Sequence, residues 1–335
     1  MTDNIRVLAI DDSPLMRRLL SEIFKGALHF ELVGAAQDAA AARGLIRETR
    51  PDVITLDNKM PDMDGLTFLA EIVESHYIPV VMVSYFTQEG AEEALSALEI
   101  GAVDFVGKPI GSTDEGWGPF RQILLERVRA AAGAQRVRSS SAPRTPHPSP
   151  QLMHDSETII AIGSSTGGTE ALMEIFRVLP AGLPGIVVVQ HMPENLTDFF
   201  AQNLNRVSPM EIKEARDGDE VCPGRALIAR GNNHMAIRGD GNKYRIETHQ
   251  GPKVWNCRPA VDVLFDSVAS VAREKAIGVI LTGMGEDGAI GLTHMNKNGA
   301  RTIVQNKESC VVFGMPKKAI ELGAAEFILP LQDIP

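Results

Sequence analysis

The sequence predicts an α/β protein with two domains. At 335 residues the chain exceeds the size of one ordinary core, and its 44% hydrophobic content is enough for two. Short apolar segments alternate with amphipathic ones in both halves, as in parallel sheets covered by helices. Between the halves, residues 133–156 contain four prolines and five serines, a composition typical of a flexible linker. We therefore predict domains at 1–132 and 157–335, joined by a linker at 133–156.

Five strands and five helices alternate in the first domain. The strands are predicted at Arg6–Ile10, Glu31–Ala35, Val53–Leu56, Val80–Val83 and Asp104–Val106. The helices are predicted at Pro14–Lys25, Ala39–Arg47, Gly65–Ser75, Glu89–Ile100 and Pro119–Ala131. Because the strands are almost continuously apolar, both faces of the sheet should be covered. The expected fold is flavodoxin-like, with a five-stranded parallel sheet.

The same alternation resumes after Glu157. Strands are predicted at Ile159–Ile162, Gly185–Val189, Ala226–Ala229, Ile277–Leu281 and Thr302–Val304. Helices are predicted at Thr169–Val178, Thr197–Arg206, Ala260–Ala272 and Ala289–Asn298, and Gly-Asp-Gly-Asn at 239–242 indicates a hairpin. The second domain is thus expected to be a larger, doubly wound α/β domain with a mostly parallel sheet.

Composition disfavours several classes of function. The net charge is −10, and from Glu157 onward 18 basic residues face 21 acidic ones, so nucleic acid is not an expected partner. The N-terminus lacks the pattern of a signal peptide, and the sequence lacks an 18-residue apolar run, so membrane insertion is not expected. Cys222, Cys257 and Cys310 are far apart and match neither zinc spacing nor a disulfide framework. We expect a cytoplasmic protein.

Polar side chains follow the strands of the first domain. Asp11 and Asp12 follow the first strand, Asp57 the third, Ser84 the fourth and Lys108 the fifth. One aspartate at a strand end is usually a turn or cap residue, but this set at one sheet edge predicts a functional site. Converging carboxylates need a cation, and Mg²⁺ held by the three aspartates fits best. The ion would let a phosphoryl group approach Asp57.

Residues 5–132 resemble the receiver domain of two-component response regulators. The resemblance rests on Asp11, Asp12, Asp57, Ser84, Lys108 and the loop Met60-Pro61-Asp62-Met63-Asp64-Gly65. It implies that Asp57 accepts a phosphoryl group from the phosphohistidine of a sensor kinase. It also implies that Lys108 pairs with that group, that Ser84 is drawn toward it, and that Phe105 is the aromatic residue that changes rotamer on activation.

A glycine-rich turn follows the first strand of the second domain. Residues 163–168 read Gly-Ser-Ser-Thr-Gly-Gly and lead into a predicted helix. Such a turn can hold a phosphate at the helix N-terminus or present a serine beside an oxyanion hole. The spacing matches neither of the common phosphate-binding glycine patterns, so the serine interpretation is the stronger.

Two further residues make this a candidate hydrolase site. His191 follows the strand that begins at Gly185, and Asp287 lies in the glycine-rich turn after the strand at Ile277. Each would be structural if taken alone, but Ser165, His191 and Asp287 are predicted at one edge of one sheet. A nucleophile, a base and an orienting acid are the groups that serine hydrolysis needs. Their chain order differs from those of chymotrypsin, subtilisin and the α/β-hydrolases.

The whole chain resembles the chemotaxis protein-glutamate methylesterase family. The most specific stretches are Ile162–Ala171 (IGSSTGGTEA), Gln190–Pro193 (QHMP), Arg258–Phe265 (RPAVDVLF) and Leu281–Gly288 (LTGMGEDG). Ser164 stands where the family has alanine, and counting back from Thr166-Gly167-Gly168 assigns the nucleophile to Ser165. His191 would then be the base and Asp287 its orienting acid.

The resemblance also implies the reaction and its control. The substrates would be methylated glutamates, and glutamines, on the cytoplasmic helices of chemoreceptors, and the esterase reaction would need no cofactor. The backbone N–H groups of Thr166 and Met284 would stabilise the oxyanion. Phosphorylation of the receiver would relieve a block on the active site. Two alternatives stay open: a DNA-binding regulator, which the acidic second domain disfavours, and a phosphorylation-switched scaffold without catalysis, which leaves the serine site unexplained.

Overall fold

The computed structural model describes residues 4–75, 78–85, 88–109, 117–134, 157–240 and 243–335. Its contacts divide the chain into two compact units, Met1–Ala134 and Gln135–Pro335. Most of the predicted linker lies outside the described residues. No helix within those residues is long and apolar enough to cross a membrane.

The first unit consists of five alternating β/α pairs. Its strands are β1 Ile5–Ile10, β2 Phe30–Ala36, β3 Val53–Leu56, β4 Val80–Ser84 and β5 Asp104–Gly107. Its helices are α1 Pro14–Lys25, α2 Ala39–Thr49, α3 Gly65–Ser75, α4 Gln88–Ile100 and α5 Trp117–Ala132. The start of α1 follows from its sequence, because the Ser13 hydroxyl accepts the Met16 N–H and Pro14 occupies the first turn.

The five strands form one parallel sheet in the order β2-β1-β3-β4-β5. This is the predicted flavodoxin-like arrangement. The carboxyl ends of β1 and β3 are adjacent, so Asp11 and Asp57 lie beside each other. The Asp57 N–H also donates to the Ile10 carbonyl at 2.9 Å, which fixes the backbone of Asp57 against β1.

The second unit is a larger α/β domain. Its strands are β6 Ile159–Ser164, β7 Gly185–Gln190, β8 Glu211–Glu214, β9 Glu220–Val221, β10 Arg225–Ile228, β11 His234–Asp240, β12 Lys243–His249, β13 Ala276–Ile280, β14 Arg301–Gln305 and β15 Phe327–Leu329. Its α-helices are α6 Gly168–Val178, α7 Glu194–Val207, α8 Val261–Val271, α9 Ala289–Lys297 and α10 Met315–Glu321. Three single-turn 3₁₀ segments, at Arg273–Lys275, Lys307–Ser309 and Leu331–Asp333, complete the described elements.

Seven of these strands form a parallel sheet in the order β15-β14-β13-β6-β7-β10-β8. The catalytic candidates follow three neighbouring strands at its centre, because β6 lies between β13 and β7. Strands β11, β12 and β9 form a separate antiparallel sheet. Its inner side chains, including Met235, Ile237 and Ile246, join one buried core with the main sheet and α8.

Strand positions agree closely with the sequence predictions, whereas several short edge elements were not predicted. These are strands β8, β9 and β15 and helix α10. Helix α7 begins at Glu194, three residues before the predicted start, because Pro193 is extended and serves as its N-cap. Strands β11 and β12 form the expected hairpin, although residues 241–242 of its turn lie outside the described residues.

Candidate active site

The first unit places three carboxylates and a lysine at the carboxyl edge of its sheet. Lys108 Nζ lies 2.8 Å from both Asp11 Oδ2 and Asp57 Oδ2. Oxygens of Asp11, Asp12 and Asp57 lie within 4.8 Å of one another. The Asp57 carboxylate is further oriented by the Asn58 N–H, which donates to Asp57 Oδ1 at 2.8 Å. The predicted residues therefore meet in one pocket.

Burial of charge makes this pocket suited to a cation. Burial raises the pKa of the Asp11 and Asp57 carboxyls, and the neighbouring Lys108 offsets only part of that effect. Burial opposes protonation of Lys108, but the two carboxylates outweigh it and raise the lysine pKa. Asp11 Oδ2 is buried, and Lys108 Nζ is its charged partner. Hard oxygen donors with spare acceptor capacity fit Mg²⁺.

The predicted switch residues lie beside a small pocket next to this site. Asn58, Ser84 and Phe105 line it, and Ser84 ends β4 with its side chain half-buried. Phe105 is buried, with 8% of its surface exposed.

In the second unit, a sharp turn carries Ser165 from β6 into α6. Gly167 has φ of 76°, a conformation that favours glycine, and it serves as the helix N-cap. A Cβ on Gly168 would lie 2.3 Å from Gln190 Oε1 and 2.6 Å from Ser164 Cβ. The turn thus needs both glycines. The Ser165 N–H donates to the Thr282 carbonyl at 3.0 Å, which ties the serine to the loop after β13.

The two adjacent serines have different environments. Ser164 is fully buried, and its hydroxyl donates to Gln190 Oε1 at 2.6 Å. Gln190 Nε2 in turn donates to the carbonyls of Ser165 at 2.9 Å and His191 at 3.3 Å. The Ser165 hydroxyl makes no hydrogen bond within the described part of the chain. Ser164 therefore has a structural contact, and Ser165 keeps a free hydroxyl. The role of Gln190 was not predicted from the sequence.

His191 is paired with a fixed carboxylate. His191 Nε2 lies 2.7 Å from Asp287 Oδ2, and the two side chains are 6% and 2% exposed. Asp287 also accepts the N–H groups of Val261 at 2.7 Å and Asp262 at 2.9 Å. These are the first two residues of α8, so the carboxylate lies at a helix N-terminus, where negative charge is stabilised. Since Nε2 is engaged, Nδ1 is the nitrogen left for another partner.

A cysteine occupies that side of the imidazole. Cys257 Sγ lies 3.6 Å from His191 Nδ1 and is half-buried. A tight turn presents it: Val254 and Cys257 exchange backbone hydrogen bonds of 3.2 and 2.8 Å, and the two residues between them have left-handed φ angles of 52° and 60°. Trp255 Nε1 donates to Asp262 Oδ2 at 2.7 Å and anchors the turn. No motif in the sequence signals this contact, because the two residues are 66 positions apart.

The charges around His191 favour its protonated form. Burial lowers the pKa of the imidazole, but the neighbouring Cys257 sulfur and Asp287 carboxylate together outweigh burial and raise it above the usual 6.5. The histidine therefore holds a proton to a higher pH than a free imidazole does.

The two candidate oxyanion residues flank Ser165 along different loops. Thr166 is the next residue and is buried, and its carbonyl accepts the Thr282 hydroxyl at 2.9 Å. Met284 follows Gly283, at which a Cβ would lie 2.8 Å from Ser165 Cβ. Within the described residues the Met284 N–H has no hydrogen-bond partner, so it is available to an added oxygen atom.

The first unit has an acidic pocket of the receiver type. The second has a serine, an imidazole and a carboxylate at one edge of its sheet. Together these features define a response regulator with a hydrolase domain. Family models agree: residues 7–115 match the response regulator receiver domain, and residues 160–335 match the CheB methylesterase family. The chain belongs to the CheB methylesterase family.

Individual relatives extend the similarity over the full length. Proteins named protein-glutamate methylesterase/protein-glutamine glutaminase from Salmonella typhimurium strain LT2 and Escherichia coli strain K12 are each 47% identical over 98% of this chain and 95% of the relative. The crystal structure of the Thermotoga maritima CheB methylesterase catalytic domain is 45% identical and covers 53% of this chain and 95% of its own, with a TM-score of 0.52.

Proposed function

We propose that the chain is a phosphorylation-controlled protein-glutamate methylesterase that also deamidates glutamine. Its substrates are methyl-esterified glutamates and glutamines on the cytoplasmic helices of chemoreceptors, so it acts in the cytoplasm. The observation that carries the proposal is the buried His191–Asp287 pair, 2.7 Å apart, beside a turn with an unbonded Ser165 hydroxyl. The names of the near-full-length relatives support the substrate class.

In the proposed reaction, Ser165 Oγ attacks the carbonyl carbon of the glutamyl ester while its proton passes to His191. Nδ1 is the accepting atom, since Nε2 is bonded to Asp287. The C–O bond to the methoxy group then breaks, and the imidazolium returns its proton so that methanol leaves. Water, deprotonated by the same histidine, attacks the acyl-enzyme and releases the glutamate and free Ser165. Ammonia takes the place of methanol when the substrate is glutamine.

Two backbone groups are proposed to stabilise the tetrahedral oxyanion. The N–H of Thr166 lies at the start of the turn into α6, and the N–H of Met284 is unbonded within the described residues. A fixed N–H donor stabilises charge that develops during the reaction without reorganising at that moment. Loss of one such donor commonly costs about 10²–10³-fold in turnover.

Control is proposed to come from Asp57 in the receiver. A chemotaxis histidine kinase would donate the phosphoryl group, and Asp11, Asp12 and Asp57 would hold Mg²⁺, which neutralises charge on the phosphoryl oxygens when bound. Lys108 would then exchange its contact with Asp57 for one with a phosphoryl oxygen, and Ser84 would move toward it. We propose a linker at 133–156, between domains 1–132 and 157–335. Because the linker keeps the receiver at a high effective concentration, a weak interface is enough to block the serine site.

Methanol release from methylated receptor membranes tests the proposal. We expect release by the full-length chain, and faster release after a small phosphodonor is added with Mg²⁺. The variant D57N should retain the basal rate and lose the acceleration. A chain that binds receptors but releases no methanol in either condition would instead be a phosphorylation-switched scaffold.

A further inference from the structure

Cys257 is a feature of the active site that the proposed ester hydrolysis does not use. It is held against the one imidazole nitrogen that the reaction needs, and it is half-buried and thus reachable from solvent. Its position is fixed by the turn that Trp255 anchors to Asp262. A cysteine sulfur and an imidazole nitrogen are both common ligands of zinc.

The geometry points to a binding site for a soft divalent cation such as Zn²⁺, with Cys257 Sγ and His191 Nδ1 as its protein ligands. We propose that occupation of this site inhibits the enzyme. Zinc binds thiolate at about 2.3 Å and imidazole at about 2.0–2.1 Å, which at a tetrahedral angle places the two ligand atoms about 3.5 Å apart. The observed separation of Sγ and Nδ1 is 3.6 Å, so the spacing of the two ligand atoms matches that around a bound zinc ion.

Asp287 supplies the outer support that zinc-binding histidines commonly have. A ligating histidine usually donates its other ring N–H to a carboxylate, which fixes the ring and makes it a better ligand. Here His191 Nε2 lies 2.7 Å from Asp287 Oδ2, and that carboxylate is itself fixed by the first N–H groups of α8. The ligand atoms of Asp287, His191 and Cys257 lie within 4.8 Å of one another. Because Asp287 Oδ2 is bonded to His191 Nε2, we assign it the supporting role and leave the remaining coordination positions to water.

The charge at the site also suits a cation. The thiolate and the carboxylate together balance a divalent ion when the imidazole is neutral. A metal on Nδ1 takes the lone pair that would accept the proton of Ser165, so the ion and the nucleophile compete for one atom. Inhibition therefore rests on the proposed role of His191, whereas metal binding does not. The receiver site differs in kind, because its ligand atoms are carboxylate oxygens, which suit Mg²⁺.

The first experiment measures binding without reference to activity. Full-length protein is stripped with a chelator, supplied with excess Mg²⁺ to fill the receiver site, and titrated with Co²⁺. We expect a sulfur-to-cobalt charge-transfer absorption in the near-ultraviolet that Zn²⁺ displaces. The band should be lost in C257A and C257S, and it should persist in C222A. Cys222 is a matched control, since it is also half-buried but lies near Gly185 at the opposite edge of the sheet.

The second experiment measures inhibition of methanol release by Zn²⁺, each variant being compared with its own zinc-free rate. We expect Zn²⁺ to inhibit wild type and C222A reversibly, with recovery on addition of EDTA. At zinc concentrations that inhibit wild type, C257S should retain its own zinc-free rate, because a serine hydroxyl is a poor zinc ligand. A cobalt band that is absent from wild type, or unchanged in C257A and C257S, overturns the site. A Cys257-dependent band in a protein whose ester hydrolysis Zn²⁺ does not affect would confirm the metal site but contradict the role of His191.

Discussion

The two sites both lie at the carboxyl edge of a parallel sheet, but their buried carboxylates are stabilised in different ways. In the receiver, Asp11 and Asp57 share one lysine, and burial raises the pKa of both carboxyls. In the second unit, Asp287 accepts two helix N–H groups and pairs with His191. In the proposed function, the first site changes state when an ion or a phosphoryl group binds, whereas the second already has its charges paired.

The largest effect should come from removing the nucleophile. We expect S165A to lower methanol release on the order of 10⁴-fold or more, because nothing replaces the attacking oxygen. S164A is the matched control, since the Ser164 hydroxyl only donates to Gln190, and it should retain most of the activity. Phosphorylation of Asp57 should be unaffected in both variants. Full activity in S165A together with its loss in S164A would move the nucleophile by one residue.

The next effect tests how far the second site depends on its fixed carboxylate. D287N should fold but lose roughly 10³–10⁴-fold in turnover, because an amide favours the wrong imidazole tautomer. It should also weaken the start of α8, since its remaining Oδ1 is a poorer acceptor than a carboxylate. Turnover and thermal unfolding of D287N report the two effects separately. Turnover near that of wild type would remove Asp287 from the catalytic set.

A smaller effect should follow from deleting the receiver. Residues 157–335 alone should exceed the resting full-length chain by about tenfold, which corresponds to roughly 1.4 kcal/mol of blocking free energy. Initial rates of methanol release at equal enzyme concentration measure it. The isolated domain is a reasonable test protein, because a related catalytic domain has a crystal structure of its own. If the fragment is no faster, phosphorylation must act by another route, such as receptor docking.

The smallest effect concerns pH. The base must be neutral to accept a proton, and the pKa of His191 is raised, so turnover should still be increasing above pH 7, beyond the usual histidine value of about 6.5. C257A removes a neighbour that raises the pKa of His191, so its acid limb should lie at lower pH. Profiles of kcat/KM against pH, recorded with a chelator present, compare the two. Coincident acid limbs would show that Cys257 has no influence on the base.

Sequence patterns are most informative where strands are buried and parallel. The strands β1, β3, β6, β7 and β13 are mostly apolar, and parallel strands end at one edge of a sheet. The residues that follow these strands can therefore be grouped into two sites by their positions in the sequence. Edge strands are harder to predict. Strand β8 reads Glu-Ile-Lys-Glu and is too polar to show an apolar run, and β15 has only three residues.

Contacts made by turns without a sequence signature could not be predicted. Cys257 reaches His191 through a turn whose central residues, Trp255 and Asn256, both adopt left-handed backbone angles. The usual sequence signal for such a turn is Asn-Gly, and here a tryptophan takes the first position because its indole is anchored on Asp262. Gln190 was missed for a related reason, since its role depends on two loops that come together only in the folded sheet.

The side chain of Gln190 has an evolutionary consequence. Its oxygen meets the Ser164 hydroxyl and fills the space that a Cβ at Gly168 would take, and its nitrogen joins the two loops that carry Ser165 and His191. A change at any one of positions 164, 168 and 190 alters what the other two can tolerate. A larger side chain at position 164 or 168 would meet the Gln190 amide, so related chains that keep this glutamine should carry only small residues at both positions.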